Sequence, residues 1–313
     1  MKKKVGLIVA LASCYSVPSF AAETGEQLPA VSGLNAKASI YGGSLDGDRL
    51  GTGQGSVTLP MGDRFGFQAD ALVSKVDGDD VRGLAAHAFW RNPDVALFGI
   101  VASALEVDDI RVERFGVEGD YFTKSFTFSA SVGTQGGDVD SASFGRAEVS
   151  YYPTDNVALV LAGTKADDDD RTSLDIEYQT SVSGLALFAS TEMGSDNYDA
   201  THAGVRFYFG EDKSLKRRHR EDDPKNPLLP MLSSSISAIN EVQLQNQIDE
   251  VLGLLDGLGV LDDLLGGIGL DGLTDALGGL GLDGIGDVLG GLGDGLPLED
   301  IPGLGGLLGG LGQ

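Results

Sequence analysis

The chain of 313 residues contains few of the residue types on which many functions depend. Cys14 is the only cysteine, which excludes an intramolecular disulfide and a cysteine-based zinc site, and three histidines leave little for a histidine-rich metal centre. There are 22 Lys and Arg residues against 47 Asp and Glu residues, and the net charge of −25 argues against sequence-independent nucleic-acid binding. We therefore expect no cofactor, no metal site and no nucleic-acid partner.

Long apolar runs are also missing after the N-terminus. A transmembrane helix needs about 20 predominantly apolar residues, and no such run follows residue 21. A membrane-embedded chain of this kind must therefore be a closed β-barrel, because an open sheet would leave backbone groups unsatisfied in lipid.

The N-terminus has the pattern of an export signal. A positive segment, Met1–Lys4, precedes the apolar residues 5–13 and a small-x-small ending at Ser19 and Ala21, which together predict a signal peptide over residues 1–21. Residues 22–33 are then expected to form a periplasmic lead-in. The alternative is lipidation at Cys14, because residues 11–14 resemble the lipobox of bacterial lipoproteins.

Short segments of alternating apolar and polar residues fill the middle of the chain. Phe65, Phe67 and Ala69, for example, alternate with Gly66 and Gln68, which is the period-2 pattern of β-strands. About twelve such segments, most of 8–12 residues, start near Lys37, Gln54, Arg64, Arg82, Val95, Ile110, Lys124, Phe144, Val157, Thr172, Leu185 and Thr201. These lengths match the 9–11 residues of a tilted membrane-spanning strand, so we predict an all-β antiparallel transmembrane β-barrel over residues 34–209.

The connections fall into two alternating sets. One set is tight, as at Met61-Gly62-Asp63, and the other is acidic, as at residues 77–80 and 167–170. We interpret these as short turns on one rim and polar loops on the other, which is typical of outer-membrane barrels. A soluble β-sandwich would alternate in the same way and is the competing fold.

The last segment, residues 202–209, carries the most informative motif. Gly204, Phe207 and Phe209 occupy the positions of the terminal-strand signal by which bacterial outer-membrane barrels are recognised for insertion. The sequence therefore resembles the porin-like outer-membrane β-barrel proteins of Gram-negative bacteria, although 104 residues follow the motif here. The resemblance implies placement in the cell outer membrane, contact with outer-membrane lipid and lipopolysaccharide, and assembly by the barrel-assembly machinery.

If Phe207 faces lipid, the opposite face of each strand lines the lumen. The charged and histidine side chains of this face are the candidate lumen-lining residues: Lys37, Asp70, His87, Arg114, Glu118, Asp120, Arg146, Glu148, Asp175, Glu177, Glu192, His202 and Arg206. Either they pair and fill the barrel, or water fills it and they tune solute passage. Acidic residues predominate in this set, which would favour cations.

The sequence raises two other types of site, a lipid-modifying active site and a calcium site. A lipid-modifying enzyme would need a Ser–His pair or a His–carboxylate pair at His87 or His202, the only histidines of the barrel region, and we expect no enzyme activity. The acidic segments at residues 77–80 and 167–170 have oxygen ligands suited to calcium but lack a complete ligand spacing.

The C-terminal extension has three parts. Residues 210–231 form a charged linker that would either lie against lipid phosphates or be solvated, and residues 232–256 have the spacing of an amphipathic helix. Residues 257–313 are rich in Gly, Leu and Asp and repeat every twelve residues, with Asp263, Asp275 and Asp287 in register. We expect this helical or disordered extension on the periplasmic side, where it would be free, bind a periplasmic partner or self-associate.

The sequence thus favours a porin-like barrel that passes small hydrophilic solutes. The alternative is a non-conducting structural or interaction barrel that anchors the extension or displays acidic loops, and the third is the lipid-modifying enzyme.

Overall fold

The computed structural model describes residues 28–167, 169–222 and 224–257, and most of these form a closed antiparallel barrel of twelve strands. Each strand pairs with its neighbours in sequence, and β1 closes the barrel against β12. The strands are β1 (Asn35–Leu45), β2 (Asp48–Pro60), β3 (Phe65–Val76), β4 (Asp79–Asn92), β5 (Ala96–Val107), β6 (Ile110–Phe122), β7 (Phe126–Gly137), β8 (Ala142–Thr154), β9 (Val157–Ala166), β10 (Asp169–Gln179), β11 (Leu185–Gly194) and β12 (Asp199–Phe209). The predicted all-β barrel is confirmed.

The barrel has two rims, which we name by their residues. The terminal rim carries Asn35 and Phe209, the first and last residues of the barrel, and the acidic rim carries the turns Asp46-Gly47 and Asp77-Gly78. The acidic connections are tight as well, because β1–β2 and β3–β4 are joined by two residues each. Asp46, Gly47, Asp77 and Gly78 all have positive φ, which is the backbone of the type I′ turn that Asp-Gly favours.

The outer face of the barrel is apolar over most of its height. Large hydrophobic side chains exposed there include Ile40, Val57, Val73, Leu84, Phe98, Phe115, Leu161, Leu174 and Leu187. Aromatic rings concentrate towards the terminal rim, where Phe126 stacks on Tyr151 at 5.0 Å between centroids. An apolar exterior with an aromatic band at its edge is what lipid contact requires.

Charged side chains appear on the outer face only near the acidic rim, among the strand residues described. Three exposed ion pairs lie there, Lys75–Asp80, Arg111–Glu113 and Lys165–Asp170, with nitrogen–oxygen distances of 2.6, 2.7 and 3.2 Å. Charges on a lipid-facing surface are costly, so this end of the strands extends beyond the hydrocarbon.

The inner face divides into two zones along the barrel axis. Polar and charged side chains such as Gln68, Glu148 and Glu177 line the part nearer the terminal rim. On β1–β6, apolar side chains line the part nearer the acidic rim, where Leu72, Leu105 and the rest of one buried cluster meet: Leu45, Leu50, Val81, Val107, Ile110 and Val112. We call this second zone the apolar collar.

Three helices follow the barrel: α1 (Leu215–Glu221), α2 (Leu228–Ser233) and α3 (Ile236–Gly257). Residues 213–222 and 224–237, which we call the lumen segment, lie inside the barrel, and several of their side chains are fully buried. The expectation of a lipid-bound or solvated linker over residues 210–231 is therefore wrong for most of its length. The helix expected over residues 232–256 begins four residues later, because residues 228–233 form the separate α2.

The extension also leaves the barrel at an unexpected end. The sequence predicts it on the side of the barrel ends, whereas α3 begins at the acidic rim, because the lumen segment has already crossed the barrel. Among the helices described, none has the length and apolarity that membrane crossing requires. The predicted signal peptide, the alternative lipidation at Cys14 and the repeats from residue 258 onward lie outside the described residues.

Barrel closure imposes a tight fit at Gly204, which belongs to the insertion motif. Gly204 lies directly opposite Tyr41, and an added Cβ would clash with the Ile40 carbonyl oxygen and the Tyr41 side chain. The motif glycine therefore has a packing role in the closing strand pair.

We expect Gly204→Ala to reduce the folded, heat-modifiable form on gels, since overpacking costs about 1–3 kcal/mol. Gly51→Ala in β2 is the matched control, because nothing lies within 4 Å of the Cβ it would add. Equal folding of the two variants would contradict this role for Gly204.

Candidate functional site

The candidate site is the barrel lumen together with the segment that occupies it. The lumen segment enters at the terminal rim, where the Gln179 side-chain amide donates to the Lys213 carbonyl oxygen at 2.7 Å. Lys213 is almost fully buried, and its ammonium donates to Ser32 and Asp222, both at 2.6 Å. This ammonium therefore ties the residues before β1 to the residues after β12.

Helix α1 lies just inside the terminal rim and is held by its basic side chains. Arg218 is 1% exposed and donates to Gln179, while Arg220 donates to the carbonyl oxygens of Thr123 and Phe126. His219 lies within hydrogen-bond distance of two tyrosine hydroxyls, Tyr152 at 3.2 Å and Tyr208 at 3.1 Å. The arginines expected to be solvated or to bind phosphate thus bind the barrel instead.

The middle of the lumen segment is extended and crosses the polar zone. Its Pro224 carbonyl oxygen accepts from Gln68 at 3.1 Å, and the Lys225 ammonium pairs with Glu148 and donates to Ser150 at 2.8 Å. Asn226 donates to Asp70 at 3.1 Å. Three strands, β1, β3 and β8, thus contribute polar contacts to this short stretch, since Lys37 also donates to Pro224.

Helix α2 fits the apolar collar. Leu228 is fully buried and faces Gly83, where an added Cβ would lie 3.1 Å from its methyl group. Met231 and Leu232 are buried in the same hydrophobic cluster as Leu72 and Leu105, and Ile239 of α3 also belongs to this cluster. Burial of such side chains contributes about 1.5–3 kcal/mol each, so the collar gives the lumen segment its apolar anchor.

Near the acidic rim, serine residues of the lumen segment form its contacts with the barrel. Arg114 donates to the hydroxyls of Ser234 and Ser235, both at 3.0 Å, and Arg171 donates to the Ser233 carbonyl oxygen at 3.1 Å. Ser237 donates to Asp169, the first residue of β10, at 2.6 Å. The contacts therefore run without interruption from one rim to the other.

A residual cavity of about 290 Å³ lies beside the lumen segment. Ten of the predicted lumen-lining charges surround it, together with His202: Lys37, Arg114, Glu118, Asp120, Arg146, Glu148, Asp175, Glu177, Glu192 and Arg206. The structure thus brings these side chains to the inner face. Whether they contact solutes stays a prediction.

Several of these charges form ion pairs across the inner face. Arg206 donates to Glu177 at 2.6 Å and Arg146 donates to Glu148 at 3.2 Å. Glu177 also accepts from the Tyr208 hydroxyl at 2.7 Å. These pairs satisfy charges that would otherwise be costly to bury.

Asp70 and His87, the other two predicted residues, are buried side by side. The His87 ring nitrogens lie 3.0 Å from an Asp70 oxygen and 2.8 Å from a Glu118 oxygen. The contacts of His87 are therefore carboxylates, whereas the Ser–His pair of an esterase would need a hydroxyl. His202 faces inward too, against the rings of Tyr41 and Phe188 at 5.2 and 6.2 Å between centroids.

The acidic turns hold their carboxylates in ion pairs with neighbouring bases. Asp80 pairs with Lys75, Asp170 with Lys165, and Asp169 with Arg171. Within the described residues, no group of three or more His, Cys, Asp or Glu side chains is arranged to hold a metal ion.

The principal residues that sequence reasoning missed are those of the lumen segment. Leu228 and Met231 follow a charged stretch rich in proline and do not repeat at helical spacing with what precedes them. The available signal was on the strands, where Leu72 interrupts the polar inward face of β3 with a large apolar side chain. An apolar patch on an inward face needs an apolar partner inside the barrel.

No protein-family model and no curated protein sequence matches the chain. Among solved structures, it is similar to the KdgM porin, with a TM-score of 0.47 and 10% identity over 56% of this chain and 99% of that one. The NanC porin gives a TM-score of 0.45 and 10% identity over 56% of this chain and 98% of that one. The translocator domain of autotransporter NalP from Neisseria meningitidis gives a TM-score of 0.38 and 12% identity over 60% of this chain and 89% of that one.

The class of protein follows from the chain's own architecture. A closed twelve-strand barrel with an apolar exterior and a charged inner face is a porin-like β-barrel of the outer-membrane type. What distinguishes this chain is the C-terminal segment that occupies its lumen.

Proposed function

We propose that the protein is an outer-membrane channel for small hydrophilic solutes that its own lumen segment holds closed. The observation that carries this proposal is the rim-to-rim occupation of the lumen by residues 213–222 and 224–237, beside which lies a cavity of about 290 Å³. Ion pairs fix the segment at the terminal rim and the apolar collar fixes it near the acidic rim. The full-length protein is thus the closed state.

The size of the barrel supports a solute passage that the lumen segment fills. Eight-strand barrels are filled by their own side chains, whereas barrels of about 16–18 strands enclose water-filled channels. A twelve-strand barrel lies between these sizes, so its lumen needs either an occupant or water. Removal of the occupant would leave a hydrated lumen lined by charges.

The charges of the inner face set the proposed selectivity. Around the cavity the strands contribute six carboxylates, on Glu118, Asp120, Glu148, Asp175, Glu177 and Glu192, and four basic side chains, on Lys37, Arg114, Arg146 and Arg206. The lumen segment adds the positive charge of Lys225, which would leave with it. The opened barrel should therefore prefer cations.

Single-channel recording in planar bilayers tests this function. The full-length protein should be silent, and the barrel truncated after Gly210 should give reproducible conductance steps. Heat-modifiable gel migration of both proteins serves as the control for folding.

Two results would count against the proposal. Equal conductance of the full-length and truncated proteins would show that the lumen segment does not close the barrel. Silence of a folded truncated barrel would remove the channel function and favour the non-conducting alternative.

A further inference from the structure

The path of the lumen segment has a topological consequence. The barrel has an even number of strands, so Asn35 and Phe209 lie together at the terminal rim. The next residues contact that rim at Gln179 and Asp155, through Lys213 and Lys216. Ser237 contacts Asp169 at the opposite rim.

Helix α3 begins at that opposite rim and continues away from the collar. Ile239 is buried there and Val242 packs against the same cluster, whereas Leu244 is 53% exposed. From Ile239 to Gly257 a helix rises about 27 Å. The chain has therefore passed through the whole barrel before it reaches the described residues after Val242.

The outer face indicates which compartment the acidic rim meets. Exposed ion pairs near this rim, such as Arg111–Glu113, show that the strands project beyond the lipid there. At the terminal rim the rings of Phe65, Phe126 and Phe209 are exposed beside the turns, so the membrane boundary lies at that rim. Two-residue turns occur at both rims, so turn length does not distinguish them. Outer-membrane barrels extend beyond the lipid mainly on their extracellular side, so the rim at which the strands project is the one expected to face the exterior.

We propose that the barrel carries its own C-terminal extension through its lumen and presents it at the cell surface. The chain ends of the barrel remain on the periplasmic side, and α3 lies outside. This inference rests on the proposed function in one respect, since the segment that closes the lumen is also the one that crosses it. The protein then acts as an anchor for a surface-exposed extension of its own chain.

The contacts along the path are specific enough to fix this route. The segment is bound by charged contacts at its entrance, on Lys213 and Arg218, and again at its exit, on Arg114 and Arg171. Apolar side chains of α2 fill the collar between them. A segment that folded back to the terminal rim would have to break both the exit contacts and the collar.

Epitope labelling of intact cells tests the inference with the full-length chain. One epitope is placed after Gln313, a second is inserted after Gly62 at the terminal rim, and a third after Gly78 at the acidic rim. Each protein is checked for heat-modifiable migration and full length before labelling. We expect antibody to label the epitopes at Gln313 and Gly78 on intact cells, and the one at Gly62 only after the outer membrane is permeabilised.

Labelling of the Gln313 epitope only under the conditions that expose the Gly62 epitope would overturn the inference. The conductance experiment is independent of this result. A silent full-length protein with its C-terminal epitope in the periplasm would keep the closed barrel and reject surface presentation. A conducting full-length protein with a surface epitope would reject closure and keep presentation.

Discussion

A single substitution in the apolar collar, Leu228→Asp, should open the barrel. Leu228 is fully buried among Leu72, Val81 and their neighbours. Loss of a buried leucine side chain costs about 2–5 kcal/mol, and an unpaired buried carboxylate adds several kcal/mol more. Since each 1.4 kcal/mol is about tenfold, the ratio of closed to open barrels should fall by more than about a thousandfold.

Single-channel recording measures this change directly, with Leu244→Asp as the matched control. Leu244 lies on α3 and is 53% exposed, so the same chemical change there leaves the collar intact. We expect steps close to those of the truncated barrel from Leu228→Asp and silence from Leu244→Asp. Silence from a folded Leu228→Asp protein would show that the collar does not hold the segment.

Charge removal on the inner face should abolish the cation preference of the opened barrel. Asp120 and Asp175 line the cavity and lie four strands apart, on β6 and β10. In a protein truncated after Gly210, Asp120→Asn with Asp175→Asn removes two of the six strand carboxylates around the cavity and leaves the four basic side chains. The balance of charge becomes neutral, so the cation-to-anion permeability ratio should fall severalfold towards one.

Reversal potentials in a salt gradient provide the measurement. The matched control is Glu106→Gln with Glu113→Gln, which removes the same charge from the outer face near the acidic rim. An unchanged ratio in the Asp120 and Asp175 variant would mean that these carboxylates do not control ion passage. A change of the same size in the control would assign selectivity to the overall charge of the protein.

The strands could be predicted from the sequence because lipid and lumen impose opposite demands on alternate residues. Period-2 patterning and Asp-Gly or Asn-Pro turns predict eleven of the twelve strand starts to within three residues. The predicted start of β2, at Gln54, is six residues later than Asp48, because glycines dilute its apolar face. Asp46-Gly47 is itself a type I′ hairpin signal and indicates the earlier start.

The occupant of the lumen could not be predicted in the same way. Arg218 and Lys225 belong to a run of charges that usually remains in water, and only the surrounding carboxylates and carbonyl groups of the barrel make their burial favourable. Those partners are far away in sequence, and their meeting depends on the closed barrel. Leu72 is an apolar residue on an otherwise polar face, but a single sequence gives no partner for it.

Disulfide trapping tests most directly whether the C-terminal segment occupies the lumen. The Ser103 hydroxyl lies 3.3 Å from the Met231 sulfur, and Cys14 is the only native cysteine and lies in the predicted signal peptide. In a Cys14→Ser background, Ser103→Cys with Met231→Cys should form a cross-link in cells under mild oxidation. Ser103→Cys with Lys225→Cys is the control, because Lys225 contacts Ser150 in the polar zone instead. A cross-link in the first pair and none in the control is the expected result, and no cross-link in the first pair of a folded protein would contradict an occupied lumen.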